Sequence, residues 1–219
     1  PLVENYTFDF ALDKLKEIGN LAKRYNQRLT FHPGQYNVVG TPNETMFQHT
    51  IDDLSYHAEV FELMNMNQDS VLVVHGGGLY GNKEETKERW CKNFYRLPEI
   101  VQKRLVIECC ERIFSVKDCL DISEKINIPV VFDTHHFECY KLLHPDEVFQ
   151  EPSFYIPLVL ETWRKRSIKP KFHVSEQGSG RIGHHSDFID VIPEYLLDIP
   201  YNYGYEVDIM IEAKKKELA

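Results

Sequence analysis

No apolar run in the sequence approaches the roughly 20 residues that a membrane helix requires, so no membrane-spanning helix is expected. No Gly-x-Gly-x-x-Gly follows the first apolar run and no Walker sequence is present, which removes the dinucleotide-fold and P-loop readings. No Gly-x-Ser-x-Gly or Cys/His signature marks a covalent nucleophile. Cysteine is scarce. The five residues Cys91, Cys109, Cys110, Cys119 and Cys139 are odd in number and lack finger or ribbon spacing. They are expected to be buried or idle thiols in a reducing compartment. Positive charge is also short: 25 Lys and Arg against 34 Asp and Glu, a net −9. That balance argues against a generic nucleic-acid binder. The argument weakens if several acids hold metal, because each divalent ion returns two positive charges.

What the chain has is a repeated design. Leu29-Thr30-Phe31 ends at His32 and turns at Pro33-Gly34, from which Gln35 and Tyr36 project. Val71 to Val74 ends at His75 and opens into Gly76-Gly77-Gly78. Leu105-Val106-Ile107 ends at Glu108, and Pro129 to Phe132 ends at Asp133, with His136 three residues on. Lys171-Phe172-His173 and Ile209-Met210-Ile211-Glu212 repeat it. Six apolar runs thus each end in a side chain able to hold a metal.

The 219 residues, 42% hydrophobic, are enough for one α/β domain, and no composition break marks a linker. Phe8 to Tyr25 reads as a helix, with Leu12, Leu15, Ile18, Leu21, Ala22 and Tyr25 at three- and four-residue steps. Further helices are expected from Thr41-Pro42 to about Met64, and over Lys83–Tyr95, Ser115–Ile126 and Phe154–Arg166. Strands are expected over Leu29–Phe31, Val71–Val74, Arg104–Ile107, Pro129–Phe132, Lys171–Val174 and Glu206–Ile211. Phe137 to Pro152 lacks periodicity and reads as a loop with a short helix; Gln177 to His185 reads as a Gly-rich loop that borders a ligand. Strand and helix alternate, which implies parallel strands joined by helical crossovers. An open doubly wound sheet would gather its site at one switch point. Ionisable groups at the C-terminal ends of successive strands instead fit a (β/α)8 TIM-type barrel. Six strands are two short of eight, so two βα units are expected before Pro1, and residues 1–219 are read as one N-terminally incomplete barrel domain.

The candidate ligands are His32, His75, Glu108, Asp133, His136, His173, His185 and Glu212. Imidazole and carboxylate together suit manganese, zinc or iron. Eight donors exceed one ion, so two or three ions are implied. Such a cluster suits phosphate-ester hydrolysis: one ion makes hydroxide available near neutral pH, and the others stabilise the phosphoryl oxygens and the leaving alkoxide.

The residues together resemble the UV damage endonuclease family. The likeness is carried by His32-Pro33-Gly34-Gln35-Tyr36, by His75 to Gly81, by Arg104 to Glu108 and by Phe132-Asp133-Thr134-His135-His136. It continues through Lys169 to Glu176, His185-Ser186-Asp187 and Ile211-Glu212-Ala213-Lys214. The resemblance implies a nick immediately 5′ to cyclobutane pyrimidine dimers and 6-4 photoproducts, and to some degree at abasic sites. It implies a barrel close to the endonuclease IV type and up to three divalent ions, manganese first, with zinc or magnesium as alternatives. By position it assigns His32, His75 and Glu108 to one ion. Glu108, Asp133, His173 and Glu212 go to a second, and His136 and His185 to a third. Lys171 matches a lysine that the family carries carboxylated, and it joins Glu108, Asp133, His173 and Glu212 as the expected catalytic group. Gln35 and Tyr36 match the pair that wedges into DNA at the lesion. The expected partner is lesion-containing double-stranded DNA, bound by a monomer in the cytoplasm or nucleoid and not at a membrane. Two other enzymes fit the same pattern, an endonuclease IV-type abasic-site enzyme and a metal-dependent sugar isomerase. A non-catalytic binding module is a third reading.

Overall fold

The computed structural model describes residues 7–218. Pro1, before which two βα units are expected, lies outside the described residues. The chain forms two compact units, one of Pro1–Val74 with Tyr80–Val106 and one of His75–Leu79 with Ile107–Ala219.

The first unit carries helices α1 (Leu12–Arg24), α2 (Glu44–Leu63), α3 (Lys83–Phe94) and the short α4 (Glu99–Gln102). Strands β1 (Leu72–His75) and β2 (Leu105–Glu108) start in it. Asn43 and Asn82 begin α2 and α3 by accepting from the backbone N–H groups of Met46 and Glu85. Helix α1 buries only part of the face that its periodicity suggests. Ile18, Leu21 and Tyr25 are exposed, while Gly19 and Ala22 are buried. The reason is steric: a Cβ on Gly19 would lie 1.9 Å from the Met64 carbonyl oxygen, so only small residues allow α1 to approach the end of α2. The expected strand at Leu29–Phe31 reduces to one bridge. Phe31 exchanges backbone hydrogen bonds with Val71 and Val73, and pairing then stops at Pro33, which has no N–H.

The second unit holds β3 (Val130–Asp133), β4 (Lys171–Val174) and β5 (Asp208–Ile211). Its helices are α5 (Val116–Ile126), α6 (Thr134–Leu143), α7 (Pro152–Arg164) and the short α8 (Glu194–Leu197) and α9 (Ile199–Tyr203). The five strands form one sheet in the order β1-β2-β3-β4-β5. The pairs β2/β3, β3/β4 and β4/β5 are parallel, with Asp133 opposite His173 and His173 opposite Met210. Ser115 and Asp118 form a reciprocal capping box that starts α5. Helix α7 is fixed to β3 at two points: the Trp163 indole donates to the Val130 carbonyl at 2.7 Å, and the Thr162 hydroxyl accepts from the Val130 N–H at 3.0 Å. Helix α6 begins three residues before the stretch expected to be irregular, because Asp133 is both the last residue of β3 and the N-cap of the helix. No helix among the described residues is long and apolar enough to cross a membrane.

Gly76 shows why the loop after β1 is glycine-rich. A Cβ there would sit 2.5–2.7 Å from Cβ, Cγ and Cδ2 of the buried Phe114 ring. These atoms lie near the backbone and cannot swing aside. Gly76→Ala is expected to destabilise the fold by about 1–3 kcal/mol through overpacking. Thermal unfolding checks this, and an unchanged melting temperature would show that Phe114 yields freely.

Candidate metal centre

Parallel strands bring their C-terminal ends to one side of a sheet. In the second unit those ends carry ionisable groups: His75 ends β1, Glu108 ends β2, Asp133 ends β3, His173 lies one residue before the end of β4, and Glu212 follows β5. Glu212 is held level with β4 by its N–H, which donates to the Val174 carbonyl at 2.9 Å.

Glu108 lies at the centre and is fully buried. Its Oε1 is 2.8 Å from His173 Nδ1 and 3.8 Å from His136 Nδ1, and its Oε2 is 3.2 Å from His75 Nε2. His173 Nδ1 also lies 2.9 Å from Glu212 Oε1, and His185 Nδ1 lies 3.9 Å from Glu212 Oε2. Two donor groups result, each with ligand atoms within 4.8 Å of one another: His75, Glu108 and His136, and Glu108, His173 and Glu212. Burial alone would push the His173 imidazolium down, but Glu108 and Glu212 overcome that and lift it to about 10. Burial likewise opposes charge on His136, yet Asp133 and Glu108 raise it. The unit thus gathers negative charge where water is excluded, an arrangement that calls for cations. The donor set of imidazoles and carboxylates around a shared carboxylate fits divalent ions of intermediate hardness.

The other expected residues fall as follows. Asp133 does not join either donor group. Its Oδ1 accepts from the His136 N–H at 2.7 Å, which caps α6, and its Oδ2 accepts from the Ser175 hydroxyl at 3.4 Å. Lys171 is buried on β4 two residues before His173, and so on the same face of the strand. His185 stands on the loop after β4, its ring 5.9 Å from that of His136. A close approach shapes this loop: a Cβ on Gly178 would lie 2.3 Å from the His185 carbonyl oxygen. His32 lies in the first unit, exposed, with Nδ1 3.4 Å from the Pro33 carbonyl. Gln35 and Tyr36 are also in the first unit, and Tyr36 is 83% exposed.

Glu176 is a residue that the repeated design does not pick out. Its Oε1 accepts from the backbone N–H groups of Asp190 and Val191, and its carbonyl accepts from Ser186, so it orders the loop that carries His185. The signal for it in the sequence is its place at the end of the Lys169 to Glu176 stretch that carries the family resemblance. The five thiols are all buried. Burial pushes Cys109 and Cys119 well up, which keeps them neutral beside the acids.

Residues 1–219 match the family described as UV-endonuclease UvdE. The chain belongs to the UV-endonuclease UvdE family. The UV-damage endonuclease of Schizosaccharomyces pombe is 38% identical over 226 residues, covering 98% of this chain and 36% of the relative. The UV DNA damage endonuclease of Clostridium perfringens is 39% identical over 211 residues, covering 94% of this chain and 49% of the relative. The chain therefore spans half or less of the length of these two relatives. The crystal structure of SacUVDE is similar at a TM-score of 0.80 and 35% identity, covering 96% of this chain and 68% of that one. A xylose isomerase-like TIM barrel fused to a 4-hydroxyphenylpyruvate dioxygenase aligns at a TM-score of 0.59 and 10% identity, covering 91% of this chain and 32% of that one. This second likeness concerns the fold alone and agrees with the TIM-type barrel expected from the strand ends.

The raised His173 has a signed consequence. Its folded value of about 10 lies above the ordinary 6.5, so its ion pairs stabilise the metal-free protein in full below about pH 6.5, and that contribution is lost as pH rises through about 10. An ion held by this residue must displace the proton. Binding of a divalent ion should therefore release a proton at neutral pH and tighten as pH rises. Calorimetric titration in buffers of different ionisation heats measures the release, and binding heats that do not depend on the buffer would contradict it.

Proposed function

We propose that this chain carries the metal centre of a DNA repair endonuclease that nicks the strand immediately 5′ to UV photoproducts. The single observation behind the reading is Glu108, a fully buried carboxylate shared by two groups of possible metal ligands, in a chain of the UvdE family. We take residues 1–219 as one functional domain. We assign His32, His75 and Glu108 to one divalent ion, Glu108, Asp133, His173 and Glu212 to a second, and His136 and His185 to a third. Manganese is the first choice. Bound there, such ions supply the positive charge that stabilises a cleaving phosphodiester and the acidity that activates water.

The chain's own side chains do the rest. Glu108 spans two donor groups and so couples their positions. Asp133 orients His136 by capping the helix on which it stands. Glu176 orders the loop that presents His185. Lys171, if carboxylated, adds a further oxygen donor on the face of β4 that carries His173. Gln35 and Tyr36 read the lesion: a dimer weakens the local base stack, and an inserted aromatic ring recovers part of the opening energy by stacking. The substrate is double-stranded DNA with cyclobutane dimers or 6-4 photoproducts, met by a monomer in the cytoplasm or nucleoid.

The test is nicking of UV-irradiated plasmid by the full-length protein with manganese. Glu108→Gln keeps the shape and removes the charge. It should lower nicking by at least about a hundredfold, the upper end of what loss of a residue merely supporting a ligand costs. Asp133→Asn preserves an N-cap, whereas Asp133→Ala should also lose about 1 kcal/mol of stability. Near wild-type nicking by Glu108→Gln would sink the proposed centre.

Tyr36→Ala probes recognition separately. It should weaken binding to a dimer-containing duplex roughly ten- to a hundredfold, from about 1–3 kcal/mol of stacking per base. Metal content should not change. Equal binding by the variant and the wild type would place lesion reading elsewhere.

A further inference from the structure

Gly34, Gln35 and Tyr36 stand out from the surface of the first unit on a stem that does not. Asn37, Val38, Val39 and Thr41 are buried, although they follow directly. Two helices hold this stem. From α2, the Thr50 hydroxyl accepts from the Val38 N–H at 3.2 Å. From α3, the Asn93 amide donates to the Val39 and Thr41 carbonyls at 2.8 and 3.2 Å, and Arg89 Nε donates to the Gly40 carbonyl at 3.2 Å. Gly40 closes the contact, since a Cβ there would lie 3.0 Å from Thr86 and 3.3 Å from Trp90.

The tip is closed by one residue. The Asn37 backbone N–H donates to the Gly34 carbonyl at 3.0 Å, which makes a turn with Gln35 and Tyr36 at its centre. The Asn37 side chain doubles that bond, with Nδ2 donating to the same carbonyl at 3.0 Å, and its second proton goes to Asp53 Oδ2 on α2 at 2.7 Å. Both neighbours are acceptors, so the amide nitrogen must face them. The bond to Asp53 is charge-assisted and short. Asp53 Oδ2 also lies 3.7 Å from His57 Nδ1, and the His57 ring packs edge-on against Phe31, the last paired residue before the tip.

We propose that Asp53, acting through Asn37, is a positioning residue that holds the Gly34–Tyr36 tip pre-set for entry into a damaged duplex. The inference rests on the reading of Tyr36 as the ring that stacks at the lesion. A turn braced at both ends need not be ordered when DNA arrives, so the ring meets the duplex already aimed. A mobile tip would reach the same contacts at lower affinity.

A double-mutant cycle on the full-length protein tests this. The readout is affinity for a duplex carrying one cyclobutane dimer and a 2-aminopurine opposite it. Asp53→Ala should weaken binding roughly three- to tenfold, the loss expected from one newly mobile side chain. It should lower the 2-aminopurine signal of an opened stack, and it should raise KM more than it lowers kcat. Asp53→Asn, which keeps an acceptor, should restore binding. In a Tyr36→Ala background, Asp53→Ala should cost nothing further, which a general structural defect would not reproduce. Asn37→Ser removes the same brace from the other side and should give the same pattern, so an Asp53→Ala protein that fails to fold leaves the test intact. An equal loss in both backgrounds, or no loss in either, would overturn the inference. If Tyr36→Ala alone left dimer binding unchanged, the wedge reading itself would fall, a separately visible result.

Discussion

One carboxylate governs the second unit. Glu108 is fully buried and lies within 4 Å of three imidazoles, those of His75, His136 and His173. An isolated charge in that position would be expensive. It is tolerable because three imidazoles surround it, one from the end of β1, one from the first turn of α6 and one from β4. A one-residue slip in the pairing of β3 with β4 would turn His173 away and leave the carboxylate without its nearest partner. Site and sheet register therefore depend on each other.

The same dependence explains the roles of neighbouring residues. Asp133 appears among the ligands by resemblance, yet its carboxylate is at work on the backbone of α6, and α6 carries His136. Ser175 and Glu176, one strand over, brace Asp133 and the His185 loop. The net charge of −9 is not an average over the surface. Part of that charge is the buried and half-buried set Glu108, Asp133 and Glu212, and of these Glu108 and Glu212 belong to groups that could hold a metal ion.

The repeated run-then-ligand pattern made the second unit legible. Lys171–Val174 was expected as a strand and is one, and the other expected strands, apart from Leu29–Phe31, agree to within a residue or two. Buried parallel strands of β-branched residues leave little ambiguity. The misses share a cause. Three residues of the expected apolar stripe of α1, Ile18, Leu21 and Tyr25, are exposed because Gly19, which periodicity ignores, permits a closer approach to Met64. Helix α6 was not foreseen in full because its start depends on one side chain capping it rather than on any run of apolar residues.

The sequence by itself determined the family, the alternation of strand and helix, and the chemical type of the donors. Those follow from residue identity and from periods of two and 3.6 residues, which are local properties. Only the tertiary structure decided which donors meet. His136 reaches Glu108 although they are 28 positions apart, and His173 reaches it across 65 positions, because strand register carries them there. It also decided that Asn37 would spend its amide on Asp53 and leave Tyr36 standing clear. Such pairings are long-range, so no local pattern along the chain encodes them.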